Sequence, residues 1–159
     1  MNFNIRQGKK TDMISVLKLI QELAHFEKEP DAVIVSVADL ERDGFGKTPL
    51  FHVFVAEMNN EIIGMALFYP RYSTWKGPTI HLEDLIVTKS KRGLNIGSAL
   101  YTKVIEYGHE KGVKRIEWVV LDWNTPAIEF YKKSGAIVLN DWNTAQMNEQ
   151  AIKNYLEKL

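Results

Sequence analysis

The chain has 159 residues and a mass of 18.3 kDa, one domain's worth, and a chain of that size buries roughly 70% of its unfolded surface without needing staples. Its 20 basic residues balance 20 acidic ones, leaving no cationic surplus for neutralising phosphates, which argues against a general nucleic-acid binder. It has no Cys, which excludes disulfides, thiolate metal sites and an acyl-cysteine intermediate, and its longest largely apolar run, Ile62 to Tyr69, is too short to cross a membrane.

The opening Met1-Asn2-Phe3-Asn4-Ile5-Arg6 lacks the apolar core of a secretory signal, so the cytoplasm is the expected location. Phe3 and Ile5 alternate with polar residues and read as a first strand. Thr11 or Asp12 can cap the next helix, whose apolar positions Met13, Val16, Leu17, Ile20, Leu23 and Ala24 carry it to about Phe26. The acidic segment from Glu27 to Asp31, with Pro30, reads as loop. Val37 and Leu40 suggest a short helix ended by Gly44 and Gly46.

Strands over 52–57 and 61–71 are joined at Asn59-Asn60, a credible tight hairpin because Asn tolerates positive φ. Pro70 closes the second of them or sits on an edge. A loop over 72–78 carries Trp75, and a fourth strand covers 79–87. In that strand Ile80 and Leu82 share one parity and Leu85 and Val87 the other. A one-residue shift of this kind is what a β-bulge leaves in a sequence, and it falls at Glu83-Asp84.

A glycine-bearing loop, Arg92 to Ser98, leads into a helix with Ile96, Ala99, Leu100, Val104 and Tyr107 on one face, ended by Gly112. A fifth strand is expected over 115–121. Asn124 or Thr125 caps a helix with Pro126 in its first turn and Gly135 at its end. A sixth strand over 136–139 and an amphipathic helix over 149–159 complete a mixed α/β sheet.

Strand, two-glycine loop and helix together form an anion-binding arrangement: free N–H groups and the positive end of the helix dipole point at the loop. Gly93 and Gly97 would let a phosphate reach the backbone, and Arg92 adds charge. A dinucleotide fingerprint would need three glycines, and a P-loop would need Lys before Ser, where Gly97 stands. Residue types alone leave two readings of Glu83 and Asp84: a base with a substrate clamp, or solvated carboxylates at a strand irregularity. On spacing alone Tyr131 reads as a packing residue beside Phe130. The four His residues, at 25, 52, 81 and 109, show no metal-ligand spacing.

Arg92-Gly93-x-Asn95-Ile96-Gly97-Ser98 resembles the coenzyme A pyrophosphate loop of the GCN5-related N-acetyltransferases. Leu82-Glu83-Asp84 and Trp123-Asn124-x-Pro126-x-Ile128-x-Phe130-Tyr131-x-x-x-Gly135-Ala136 resemble, more narrowly, the spermidine/spermine and thialysine acetyltransferase subfamily. Glu22-Leu23-Ala24-x-Phe26-Glu27 and Asp43-Gly44-Phe45-Gly46 fit it too. Two positions depart: Asn95 replaces the loop's middle glycine, and Ser134 stands where the subfamily has a basic residue.

The resemblance implies one acetyltransferase domain over residues 1–159, an α+β fold with a mostly antiparallel mixed sheet, and acetyl-CoA as acyl donor. It places acetyl-CoA on Leu85, Ile86, Val87, Arg92, Gly93, Leu94, Asn95, Ile96, Gly97, Ser98, Asn124, Thr125, Pro126 and Ala127. It implies Tyr131 as general acid and Glu83 as amine ligand and, through water, proton acceptor. Phe26, Glu27, Glu83, Asp84, Glu117, Trp118 and Val119 would hold a cationic amine, with Trp75 as a further wall. The resemblance further implies a homodimer, and neither a nucleic-acid nor a membrane partner is expected. Expected chemistry is direct acetyl transfer to the primary amine of a diamine or polyamine. The rival readings are a lysine-like amino acid such as thialysine as acceptor, or an acetyl-CoA-binding sensor without turnover.

Overall fold

The computed structural model describes residues 2–159, which divide into two compact units with the boundary between Val119 and Val120. The first is built on a five-stranded sheet in the order β1 (Asn4–Gln7), β2 (His52–Met58), β3 (Glu61–Ser73), β4 (Gly77–Val87), β5 (Ile116–Glu117). The first three pairings are antiparallel and β4–β5 is parallel. Three helices complete this unit: α1 (Met13–Phe26), α2 (Val37–Phe45) and α3 (Ile96–Glu110).

Alternation along the strands sorts the core into two faces. Val53 and Val55 of β2, Met65 and Leu67 of β3 and Ile86 of β4 pack with Met13, Val16 and Leu19 of α1 and Leu40 of α2. The opposite parity faces α3: a Cβ added at Gly64 would come within 3.2 Å of Leu100, and the Phe68 and Tyr107 rings lie 4.9 Å apart, edge to face. α2 starts at a full capping box, in which the Ser36 hydroxyl accepts from the Asp39 N–H and the Asp39 carboxylate accepts from the Ser36 N–H. Arg6 on β1 ties the start of α1 to the end of β2 through Asp12 at 2.7 Å and Glu57 at 2.6 Å.

The β3–β4 hairpin is longer than the sequence suggests. Its ladder runs to Ser73↔Gly77, so the expected loop over 72–78 shrinks to residues 74–76. Pro70 is accommodated inside β3 because it pairs with Ile80, whose own N–H turns the other way, to the Arg115 carbonyl at 3.1 Å. On its other side Pro70 lies past the start of β2, which begins opposite Phe68. No ladder bond is asked of it.

The second unit holds α4 (Thr125–Lys133) and α5 (Glu149–Leu156). Two expectations fail here and at its border. The sixth strand is absent from 136–139, where Ile137 is 85% exposed: β-prone side chains without a neighbouring strand do not make one. β5 is two residues long rather than covering 115–121. Smaller differences are at ends: Phe3 precedes β1, and α5 stops at Leu156.

Candidate active site

The register of β3 against β4 slips once, between Leu67↔Asp84 and Phe68↔Leu82, leaving Glu83 as the extra residue. This bulge decides the chemistry of the strand. A regular strand would send Glu83 and Asp84 to opposite faces; the inserted residue turns both toward the α1 face. Asp84 shares that face with its partner Leu67, and Glu83 accepts a hydrogen bond at 3.0 Å from the hydroxyl of Tyr69, two residues further along β3 on the same face. Beyond the bulge Leu85 and Val87 turn to the α3 face, opposite Ala66 and Gly64.

Glu27, at the C-terminal cap of α1, joins the two carboxylates. Burial pushes the Asp84 carboxyl up to about 7, with Glu83 and then Glu27 adding their negative charge. Glu27 is raised as well, by burial and then by Glu83. A group in which Glu83 raises both Asp84 and Glu27 is a site short of a cation.

The outer edge of β4 lies beside them. β5 pairs only with Ile80 and His81, so from Leu82 to Val87 no strand among the described residues continues the ladder on that side. Arg92 connects this edge to the end of α1. Its Nε donates to the Val87 carbonyl at 3.0 Å, and its guanidinium sits 5.5 Å from the centre of the Phe26 ring, a cation–π contact. Glu22 of α1 binds the same turn, accepting from the Thr88 hydroxyl at 2.8 Å and the Lys89 N–H at 2.7 Å.

The loop that follows is shaped for an anion. Gly93 and Asn95 adopt positive φ, 81° and 60°, which turns the chain into α3. The Asn95 side chain makes no capping bond, and the first intrahelical bond is Ala99 N–H to the Asn95 carbonyl at 3.0 Å. The N–H groups of Ile96, Gly97 and Ser98 precede it and point out of the helix start. A Cβ at Gly97 would meet only Val87, at an ordinary 3.7 Å, and one at Gly93 nothing within 4 Å. The fold therefore tolerates a side chain at 97, and the bare backbone there is room for a ligand. These residues fit a pyrophosphate, as acetyl-CoA requires.

The other residues singled out from sequence are placed as follows. Glu117 is shared between Arg71 and Arg115, the latter at 2.6 Å, so its charge is already matched within the sheet. The Trp118 ring packs edge-on against Tyr101 at 5.5 Å, while Val119 and Trp75 are largely exposed. In the second unit, Asn124 caps α4 through its carbonyl, which accepts from the Ile128 N–H at 3.0 Å, with Thr125, Pro126 and Ala127 in the first turn. Tyr131 is buried, its ring 5.4 Å from that of Phe130. The Ser134 hydroxyl donates to the Tyr131 carbonyl at 2.7 Å, so at this departure from the subfamily pattern the side chain closes the helix end. Sequence reasoning missed Tyr69 and His81, which flank Glu83. A period-2 count along β4 from Glu83 would have placed His81 on its face, while Tyr69 needs the β3–β4 register.

A cavity of about 630 Å³ lies elsewhere, among Arg6, Lys18, Glu22, Glu61 and Lys91. Its cations and carboxylates are mixed and Arg6 is already held by Asp12 and Glu57, so it shows no selectivity for either charge. No helix among the described residues is long and apolar enough to cross a membrane.

A bulged strand with an open edge, running into an anion loop at a helix start, is the arrangement of an acyl-CoA-dependent transferase, and the comparisons agree. Residues 15–136 match the Acetyltransferase (GNAT) family, and the chain belongs to it. It is 39% identical to the thialysine N-epsilon-acetyltransferase of Bos taurus over 97% of both chains. It is 32% identical to the human spermidine/spermine N(1)-acetyltransferase-like protein 1 over 94% of this chain and 23% of that one. Among solved structures, AAC(6')-Iy in complex with the bisubstrate analog CoA-S-monomethyl-acetylneamine superposes with a TM-score of 0.77 at 19% identity, over 93% of this chain and 99% of that one. The chain is thus an N-acetyltransferase that uses acetyl-CoA.

Proposed function

We propose that the acceptor is a small molecule bearing a primary amine and at least one further positive charge. The observation that carries this is the convergence of Glu27, Glu83 and Asp84 beside the open edge of β4, three carboxylates whose mutual repulsion an ammonium group relieves. A diamine or polyamine meets this description. So does a lysine-like amino acid such as thialysine, which the names of several relatives favour.

An amine of pKa near 10.4 is less than about one-thousandth unprotonated at neutral pH, so the enzyme must take a proton before the nitrogen can attack. Acetyl-CoA supplies the acetyl group as a thioester. Arg92 to Ser98 bind its pyrophosphate through main-chain N–H groups, with Leu94 at the loop's outer turn, and Asn124 to Ala127 form a second contact segment. Leu85, Ile86 and Val87 offer their main chain along the open edge, where N–H groups of Leu85 and Val87 hold the acyl oxygen. Glu83 accepts the amine proton through water. Tyr131 Oη gives a proton to the leaving sulfur. Phe26, Glu27, Asp84, Trp118 and Val119 line the amine, and Glu117 orders the strand beneath it.

The whole of 1–159 works as one acetyltransferase domain, a reading supported by the family match crossing the boundary at Val119. It acts in the cytoplasm as a homodimer, without nucleic-acid or membrane partners; the resemblance and the balanced charge support this. Steady-state thiol release with spermidine, putrescine, lysine and thialysine tests the acceptor. Turnover confined to these amines, each with at least one further cationic nitrogen, supports the reading, and equal or faster turnover of a monoamine such as butylamine, run alongside them, overturns it.

A further inference from the structure

Across the α1 face, one row of polar side chains spans three strands. Tyr69 on β3 is the register partner of His81 on β4, and His81 is the partner of Glu117 on β5. The Tyr69 hydroxyl donates to Glu83 Oε2 at 3.0 Å, and His81 Nε2 lies 3.6 Å from that same oxygen. The two rings are 5.2 Å apart, each limiting the rotation of the other.

His81 is 12% exposed, and its Nδ1 is buried with no hydrogen-bond partner among the described residues. A neutral imidazole carries one N–H. A buried orphan N–H is rarer than an under-used acceptor, so the proton belongs on Nε2, aimed at Glu83. This tautomer is assigned from its surroundings. The Tyr69 hydroxyl thus holds Oε2 by a hydrogen bond with His81 Nε2 packed just beyond hydrogen-bond reach of the same oxygen, and Oε1 is left for the water and the amine.

We propose that Tyr69 and His81 are positioning residues that hold Glu83 in one rotamer, ready to accept the amine proton. The inference rests on the reading of Glu83 as proton acceptor. The need for such donors comes from the surroundings. Glu27 from the end of α1 and Asp84 from β4 crowd the same place, and the charge of Glu83 raises both of them. On β5 Glu117 adds little, because Arg71 and Arg115 match it. Burial, and then the hydrogen bond with Glu83, raise the Tyr69 hydroxyl, which keeps it a donor.

Tyr69→Phe removes one hydroxyl and keeps the ring. The expected result is a kcat reduced roughly 10- to 150-fold, as for a hydrogen bond to a charged group, with KM for acetyl-CoA unchanged. The acid limb of the kcat–pH profile moves to higher pH. In a Glu83→Gln background the same substitution costs less than about 2-fold, because its target is gone. At the neighbouring position His81→Gln, which keeps a donor, retains more activity than His81→Leu, a comparison that stands even if Tyr69→Phe does not fold. A slow Glu83→Gln with an unaffected Tyr69→Phe, or equal losses in both backgrounds, overturns the inference alone. An unchanged kcat in Glu83→Gln overturns the proton-acceptor reading and this inference with it.

Discussion

In the proposed site Glu27, Glu83 and Asp84 would meet a ligand's charge with carboxyl side chains, whereas the Arg92–Ser98 loop would meet it with main-chain N–H groups and with Arg92, a guanidinium already engaged by Val87 and Phe26. The side-chain group repels itself, and the strain is visible in the raised Asp84 and Glu27 carboxyls. The loop carries no such self-repulsion, because peptide dipoles do not titrate. It depends instead on bare backbone at Gly93 and Gly97. Pressure on the two regions should therefore give different signatures: steric in one, pH- and charge-dependent in the other.

The largest effect is expected at the loop. Gly97→Glu should reduce coenzyme A affinity at least about 100-fold in calorimetry, through steric block and repulsion of the pyrophosphate. Its Tm should hardly move, since the new Cβ meets only Val87 at 3.7 Å. Undiminished affinity would remove the loop from the cofactor site.

Tyr131 belongs to neither region, which makes it a control on both. Tyr131→Phe should lower kcat by about 10²- to 10⁴-fold, the usual worth of a positioned acid, and leave the affinities for acetyl-CoA and amine as they were. Near-wild-type turnover would reduce it to a packing residue.

Charge at the side-chain group is probed by Glu27→Gln. It should lower kcat/KM for a diamine by about 5- to 150-fold, the loss of one partly buried pair of 1–3 kcal/mol, and affect a monoamine much less. Equal losses for the two amines would sink the second-cation reading of Glu27.

The smallest effect is a pH dependence, and its sign follows from Asp84. Because its folded value, about 7, lies above that of the unfolded chain, the native state binds the extra proton between about pH 4 and 7 and loses stability as pH rises through that window. Asp84→Asn should remove this slope and raise the Tm of the free enzyme at pH 8 relative to wild type. A dication favours ionised Asp84, so diamine binding near pH 7 should release protons, measurable by calorimetry in buffers of different ionisation enthalpy. The loop's affinity for coenzyme A should show no such Asp84-linked release. Proton release that persists in Asp84→Asn would assign it to another group.

The features legible in sequence were those with a local signature. The parity shift around Glu83-Asp84 marked the bulge because a period of 2 admits no other way to change face. Asn59-Asn60 marked the hairpin, and both residues have positive φ. The glycines and Asn95 marked the loop. What escaped depended on partners distant in the chain. Residues 136–139 have strand-like composition and find no strand to pair with. Pro70 reads from sequence as a strand end or an edge position; it lies where β2 has ended, and the ladder with β4 runs past it because the position needs no donor. Tyr69 and His81 are ordinary residues of a half-buried face until the register sets them against Glu83. Glu117 was expected among the amine-binding residues, and only the fold supplies Arg71 and Arg115 to match its charge.

The open edge of β4 has a second consequence, outside catalysis. An unpaired row of main-chain groups is a template on which another chain can stack, and exposed edges of this kind seed aggregation. Glu83 and Asp84 lie on that stretch. Two copies meeting edge to edge would press four carboxylates together at a position where Asp84 already resists a second negative neighbour. Like charge opposes the contact at short range, where salt screens it least. The pair that would draw a cation to the strand thereby also guards its solubility.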